Sequence, residues 1–306
     1  MDKEQVNESQ QFRAGYVAII GDPNVGKSTL MNALIGQKIS IVTKKPQTTR
    51  HKVLGILSGE HYQIVFLDTP GLLKPKYLLQ NAMMDFAQSA IEDADLVFFM
   101  IEAADPKMGP EIEHDLAFKK LKSLKKPVYL VINKIDLVKK ESLLPIIDFY
   151  SKNYPFKEIF PISALKLEGT DDLLQTVVKE LPEHLPYYPP DIISEHPERF
   201  FVSEIIREKI FERYREEIPY SATVDIIEFK EHAGRKDVIQ AEIYVERESQ
   251  KGILIGKRGK ALKAIGELAR KDIEVFLERP VFLQLYVKVR EKWREREEWL
   301  KRLGYK

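Results

Sequence analysis

The 306-residue sequence contains no cysteine. That excludes disulfides, cysteine-ligated zinc and thiol nucleophiles, and it fits a reducing cytosol. Long apolar runs are also missing. The longest, residues 97–101 and 128–132, are far too short to cross a bilayer. The opening stretch MDKEQVNESQQFR is polar and has no apolar h-region, so a secretory signal is not expected. Nor is there an excess of charge of either sign. Charged residues make up 31% of the chain yet cancel to a formal +1, so any signal for nucleic acid must be local. Internal repeats and low-complexity runs are absent. What remains is ordinary: 44% hydrophobic residues, enough for packed cores, and a length that suggests about two domains.

Residues 1–13 read as a disordered tail. From there short apolar runs alternate with amphipathic stretches. The runs at 16–20, 53–58, 63–67, 96–101, 128–132 and 159–162 are rich in Val, Ile and Phe and read as strands. Helical periodicity marks 28–35, 81–92, 111–124, 143–152 and 171–181. The alternation implies a mostly parallel six-stranded α/β sheet, with the 53–58 and 63–67 hairpin putting one edge strand antiparallel. This domain is expected over 14–181. Five prolines between 182 and 197 mark 182–198 as a stiff linker. Residues 199–306 form a second, α+β domain: helix 199–217, strands 222–231 and 237–246, a helix, helix 260–277, strand 281–289 and a charged final helix.

The phosphate-loop motif G-x-x-x-x-G-K-S occurs once, in Gly21, Asp22, Pro23, Asn24, Val25, Gly26, Lys27 and Ser28, with Thr29 following. It ends a strand and opens a helix, the context the motif requires. Glycine there lets backbone N–H groups turn toward phosphate, and the helix N-terminus adds its dipole. Lys27 would neutralise β- and γ-phosphate charge, and Ser28 would give an oxygen to Mg²⁺. Asp68, Thr69, Pro70 and Gly71 end the next strand: Asp68 can hold a Mg²⁺ water, and the Gly71 N–H can meet a γ-phosphate. Asn133, Lys134, Ile135 and Asp136 end another. Asp136 can accept from guanine N1–H and the exocyclic amine, a pattern adenine lacks. Asn133 would tie this loop to the phosphate loop, and the Lys134 stem would cover the base. Ser163, Ala164 and Leu165 end the last strand, where the Ala164 N–H could meet guanine O6. Every motif thus falls at the C-terminal end of an expected strand, where open α/β sheets bind ligands. The set resembles the translation-factor-type P-loop GTPases.

Residues 37–52 form a polar stretch holding Gln47, Thr48, Thr49, Arg50 and His51. A threonine here can bind Mg²⁺ while the γ-phosphate is present and let go afterwards, the order–disorder change of a switch. Lys44, Lys45, Arg50, His51 and Lys52 read either as RNA contacts or as a solvated basic loop. Leu72 follows Gly71 where Ras-type proteins place the glutamine that orients water, so slow intrinsic hydrolysis is expected.

In the second domain Ile255, Gly256, Lys257, Arg258, Gly259 and Lys260 put a doubly basic GxxG between two helices, with Lys263 and Lys251 beside it. Such a loop, in the order helix-strand-strand-helix-helix-strand, is that of a type II KH domain. There it clamps about four nucleotides of single-stranded RNA. The tail, 290–306, reads as an RNA- or membrane-surface helix or, preferably, as a helix docking its tryptophans on the KH sheet.

GDPNVGKS, PQTTRH, DTPG, NKID and SAL, a Pro-rich linker, then GILIGKRGKALKAIG and VFLQLYVKVREKW closely resemble the Era-type GTPases of the TrmE–Era–EngA group, over residues 14–306. The resemblance favours Thr49 over Thr48 as the Mg²⁺ ligand and makes Asn24 a candidate ligand for K⁺. It implies binding of GTP and GDP. It also implies binding of the 3′ end of small-subunit ribosomal RNA and help in maturing that subunit, by a cytoplasmic monomer with peripheral membrane contact in some relatives. Two departures stand out: Asp22, where relatives carry a basic or neutral residue, and Arg258, where glycine is frequent. A second phosphate loop would point to EngA, and none is present. The NKID stretch argues against an ATP-driven remodeller. A constitutive RNA-binding module with an independent GTPase remains the alternative.

Overall fold

A computed structural model describes residues 11–305 of the chain. Most of the expected tail, residues 1–10, lies outside the described residues. Residue 13 was assigned to that tail, but Arg13 begins the first strand: its guanidinium donates to Lys179 O at 3.0 Å and Leu181 O at 2.7 Å.

The first domain runs β1 (Arg13–Gly21), α1 (Lys27–Ile35), β2 (Val53–Ser58), β3 (Tyr62–Asp68), α2 (Leu78–Asp93), β4 (Leu96–Glu102), α3 (Leu116–Leu121), β5 (Val128–Asn133), α4 (Leu143–Asn153), β6 (Glu158–Pro161) and α5 (Thr170–Glu180). The sheet order is β2-β3-β1-β4-β5-β6, parallel except for the β2–β3 hairpin. β1, β4 and β5 are buried on both faces, which is why they read as unbroken apolar runs. The strand order reverses at β1, and the crevice beyond its C-terminal end is where ligands of such sheets bind.

The second domain runs α6 (Glu198–Arg213), α7 (Ile218–Ser221), β7 (Thr223–Lys230), β8 (Asp237–Val245), α8 (Glu248–Ile255), α9 (Lys260–Leu277), β9 (Val281–Val289) and α10 (Glu297–Arg302). Its sheet is β7-β8-β9, antiparallel then parallel. Ile205, Ile206 and Ile210 of α6 and Ile265, Ala269 and Ile273 of α9 close its core against Ile239, Ala241 and Ile243.

Three expectations are corrected. The helix expected over 111–124 breaks at Asp115, whose carboxylate accepts from Phe118 N at 2.7 Å and so caps a new, shorter α3. The helix expected over 199–217 ends at Arg213, because Tyr214 is extended and Glu216 left-handed ahead of Pro219. The proline-rich stretch is no free spacer. It is a strap laid on the β2 edge: Gln63 Oε1 accepts from Tyr187 N and Tyr188 N, Ile56 N donates to Ile193 O, and Ser194 Oγ donates to Leu54 O.

Candidate nucleotide site and RNA-binding loop

The loop between β1 and α1 takes a shape that only its glycines permit. Gly21 has φ +150°, and a Cβ there would meet Met100 O at 2.3 Å. Gly26 has φ +102°, and a Cβ would meet Asn133 Nδ2 at 2.2 Å. Gly71 is pressed so closely on Pro23 that a Cβ would lie 2.8 Å from its nitrogen. Lys27 is buried at the start of α1 and donates to Gly21 O at 3.2 Å and Asp22 O at 2.8 Å. Burial lowers its pKa to about 8, against the pull of Asp68 and Asp22. It is a desolvated cation with only carbonyls to hold, which a phosphate would satisfy better.

Beyond Lys27 four side-chain oxygens converge. Ser28 Oγ lies 2.9 Å from Thr49 Oγ1 and donates to Asp68 Oδ2 at 2.6 Å; Ser40 Oγ donates to the same oxygen at 2.7 Å. Asp68 Oδ1 is buried and has no partner. Burial pushes the Asp68 carboxyl up, opposed by the Ser28 and Ser40 hydroxyls and Lys27. An orphaned carboxylate oxygen behind two facing hydroxyls fits a hard divalent cation, so these residues suit Mg²⁺.

At the other end Asn133 Nδ2 donates to Val25 O at 2.8 Å, tying the base loop to the phosphate loop as expected. Asp136 Oδ1 accepts from Ser163 Oγ at 2.6 Å. Lys134 has φ +65°, and its Nζ reaches Glu102 Oε2 at 2.5 Å, holding its stem across the mouth of the site. One expectation changes. The Ala164 N–H is spent on Asn133 Oδ1 at 2.9 Å, where it joins two loops instead of waiting for guanine O6.

A cavity of about 1000 Å³ joins these ends. Pro23, Asn24, Gly26, Lys27, Ser28, Thr29, Gln47, Thr48, Thr49, Gly71, Asn133, Lys134, Asp136, Ser163 and Leu165 line it. Gly21, Asp22, Val25, Asp68, Thr69, Pro70, Leu72, Ile135 and Ala164 stand behind that lining. Thr69 Oγ1, for example, donates to Ile19 O at 2.8 Å. Asp22 turns away to pair with Lys107, which Asp115 holds at 2.7 Å from the other side. Its departure from the family pattern therefore puts no carboxylate among the phosphates. Ser40, Lys107 and Glu102 were missed in the sequence because no motif includes them. So were Phe211, Glu212 and Arg215, which line the cavity from the second domain.

Within the stretch 37–52 most of the basic side chains are engaged by the protein itself, although Lys44 is exposed. Arg50 is buried and donates to Ala222 O, Pro219 O and Tyr220 O at 2.8, 2.9 and 3.0 Å. His51 stacks on Tyr305 with centroids 4.3 Å apart. Lys45 Nζ donates to Phe211 O, and Lys52 pairs with Asp93 at 3.0 Å. Asn24 Nδ2 donates to Lys44 O at 3.2 Å. The tail is corrected as well. Trp299 packs edge-on against Tyr244 of the second sheet, but Trp293, Leu300 and Tyr305 pack against Leu79, Ala82 and Met83 of α2, in the first domain.

In the second domain, Gly256 (φ +69°) and Gly259 (φ +76°) bracket the basic loop; a Cβ on Gly256 would meet Ala261 Cβ at 2.5 Å. Arg258 is left-handed as well (φ +53°), a conformation costing a non-glycine residue about 1 kcal/mol. Lys257, Arg258 and Lys260 are exposed, and among the described residues none has a carboxylate within salt-bridge reach. Ile255 is half-buried at the end of α8, and Lys263 projects one turn into α9.

Residues 16–134 match the family described as "50S ribosome-binding GTPase", and residues 217–294 match "KH domain". The GTPase Era of Geotalea daltonii is 48% identical over 296 residues, covering 97% of this chain and 99% of that one. The chain belongs to the Era family of GTPases. The chloroplastic GTPase ERA1 of Zea mays is also 48% identical, over 96% of this chain and 70% of its own length. Two solved Era structures superpose with TM-score 0.90 at 45% identity, covering 96% of this chain and 99% of theirs. One is a tyrosine-to-alanine variant from Aquifex aeolicus bound to GDP and AlF4⁻. The other is a complex with MgGDPNP and nucleotides 1506–1542 of 16S ribosomal RNA. Era architecture, a P-loop GTPase domain followed by a KH domain, is thus the architecture of this chain.

Proposed function

We propose that this GTPase is a switch on the 3′ end of small-subunit ribosomal RNA. GTP with Mg²⁺ fixes residues 37–52 over the cavity, single-stranded RNA binds the GKRG loop, and hydrolysis loosens the arrangement during maturation of the small subunit. The observation that carries the reading is the convergence of Ser28 Oγ, Thr49 Oγ1 and Asp68 Oδ2, with Asp68 Oδ1 left unpartnered, beside a buried, phosphate-starved Lys27.

The chemistry that Mg²⁺ would supply when bound is neutralisation of the charge that develops on the phosphates. Ser28 and Thr49 would ligate it, and Asp68 would hold one of its waters. Lys27 would hold the β- and γ-phosphates, and the Gly71 N–H the γ-phosphate. Asp136 would select guanine, since a carboxylate placed to accept two hydrogen bonds disfavours a base that cannot supply them. The Leu72 side chain can neither donate nor accept, so the attacking water must be positioned otherwise. Turnover without a partner should be slow, on the order of one per many minutes. Asn24 uses its amide nitrogen on Lys44 O and keeps its carbonyl oxygen for a monovalent cation beside the phosphates. Hydrolysis faster in K⁺ than in Na⁺ would support that role, and equal rates would remove it.

The RNA reading rests on unpaired basic side chains at a glycine-bracketed turn, which lets backbone and charge approach phosphate together. The relative that holds 16S ribosomal RNA shares the fold over nearly the full chain. We place the protein in the cytoplasm as a monomer. Membrane attachment through the tail lacks a free apolar face, since Trp293 and Leu300 are buried.

The test measures affinity for a short single strand matching the 3′ end of small-subunit ribosomal RNA, in K⁺ and Mg²⁺ at fixed salt. It is run with a non-hydrolysable GTP analogue, with GDP and with neither. Tighter binding with the analogue, lost in Gly256→Asp and Gly259→Asp, is expected. Equal affinity in all three states would separate RNA binding from the nucleotide and refute the switch.

A further inference from the structure

Helix α6 opens the KH side of the molecule, yet two of its charged side chains are spent on the GTPase side. Arg207 and Glu208 are adjacent in sequence, and each is about 1% exposed. Arg207 Nη2 donates to Thr48 O at 2.6 Å. Glu208 Oε1 accepts from Val42 N at 2.9 Å, and Oε2 accepts from Lys38 Nζ at 2.6 Å. Buried charges survive only where their partners are fixed. Arg207 is fixed from its own helix: Nε donates to Glu204 Oε1 at 2.7 Å, and the guanidinium lies 5.2 Å from the Phe211 centroid. The two contacts therefore present rigid groups to a segment that has no secondary structure of its own.

What they grip matters. The carbonyl of Thr48 and the amide of Thr49 share one peptide plane. Holding Thr48 O therefore sets the rotation of the plane from which the Thr49 side chain departs, and Thr49 Oγ1 stands 2.9 Å from Ser28 Oγ. Glu208 anchors the same segment at Val42 and Lys38, before its turn into the cavity. Together they brace the segment on both sides of Lys44 O, the carbonyl that Asn24 holds.

We infer that Arg207 and Glu208, residues of the KH side, are positioning residues for GTP hydrolysis and act by fixing Thr49 over the phosphates. This rests on the reading of Thr49 as a Mg²⁺ ligand. It adds that the ligand is placed by the other domain, so the hydrolytic site is complete only when α6 is docked.

The test uses the full chain and measures single-turnover GTP hydrolysis, its Mg²⁺ dependence, GDP affinity and thermal unfolding. The variants are Arg207→Met, Glu208→Ala, Glu208→Gln and Thr49→Ala. Arg207→Met and Glu208→Ala are expected to slow hydrolysis about ten- to a hundredfold, the worth of a charge-assisted hydrogen bond. They should also raise the Mg²⁺ concentration for half-maximal rate. GDP affinity is expected to stay unchanged, because GDP is held by the phosphate loop and Asp136 without Thr49. Glu208→Gln should recover most of the rate, since its amide oxygen still accepts from Val42 N. If Arg207→Met fails to fold, the Glu208 pair decides alone. Normal hydrolysis in Glu208→Ala, with Thr49→Ala crippled, overturns the inference and leaves the Thr49 reading standing. Normal hydrolysis in Thr49→Ala overturns that reading first. GDP affinity and rate falling together would mark a structural role and also overturn the inference.

Discussion

Acid should open the contact between the two domains, and His51 sets the pH at which it does so. Its ring lies between Tyr305, Phe200 and Phe86, with Arg50, Arg207 and His196 nearby and Glu204 as the one opposing charge. Burial is the main cause that lowers its pKa from 6.5 to about 4, with Arg207, His196 and Arg50 acting in the same direction and Glu204 against them. In the unfolded chain the ring titrates near 6.5. Between the two values the unfolded state binds more protons, so stability is full above pH 6.5 and is lost as pH falls toward 4. The loss between pH 7 and pH 5 is about 2 kcal/mol, from the ratio of the two binding polynomials at each pH. His196 is shifted in the same direction by burial and adds to the trend. The assay is urea denaturation of the full chain and of His51→Phe at pH 7, 6 and 5. Phenylalanine keeps the stack on Tyr305 and has no proton to bind. The wild type should lose about 2 kcal/mol more than the variant over that interval. Parallel pH dependence would show that the ring is not held neutral at this contact.

Three further outcomes follow from the site. Nucleotide affinity should fall about tenfold between pH 7 and 9, because Lys27 titrates near 8 when no phosphate is bound and only its charged form holds phosphate; calorimetric titration with GDP checks this, and a flat profile would mean that Lys27 stays charged. Gly26→Ala should abolish nucleotide binding and also lower the thermal unfolding temperature by several degrees, since the added Cβ meets Asn133 Nδ2 and strains a left-handed backbone by about 1–3 kcal/mol; retained GDP binding by fluorescence titration would contradict the described loop. Gln63→Leu should release the strap at a cost of about 2–4 kcal/mol, because it leaves the N–H groups of Tyr187 and Tyr188 unpaired. Limited proteolysis should then cut within 184–197, and resistance equal to the wild type would make the strap's docking irrelevant.

The sheet and the nucleotide motifs were legible because both are written locally. A strand buried on both faces must be apolar throughout, and a phosphate loop needs its glycines, lysine and serine within eight residues. The domain contact was not legible, because its chemistry is spread over the chain. Arg50 and His51 read as solvated or RNA-facing, since charge in a polar stretch ordinarily is. Their partners at 219–222 and 305 lie far away in sequence. Arg207 and Glu208 carried no signal in the sequence, since their partners at 38, 42 and 48 also lie far away. The strap was hidden differently. Proline reports local stiffness, but Gln63, the side chain that captures the strap, sits in a strand more than a hundred residues earlier. Asp115 could have been found, as an N-cap residue three positions before Phe118 inside an over-long helix.

The packing of Trp293, Leu300 and Tyr305 on α2 has a consequence for how the molecule is made. The apolar face of Leu79, Ala82 and Met83 is synthesised early and covered late. Its cover emerges roughly 200 residues later, some tens of seconds at ordinary rates of translation. From the emergence of α5 onward the nascent chain carries a completed nucleotide fold with one greasy flank bare. A message cut short before codon 293 would leave that flank bare for good, a standing target for chaperones and proteases.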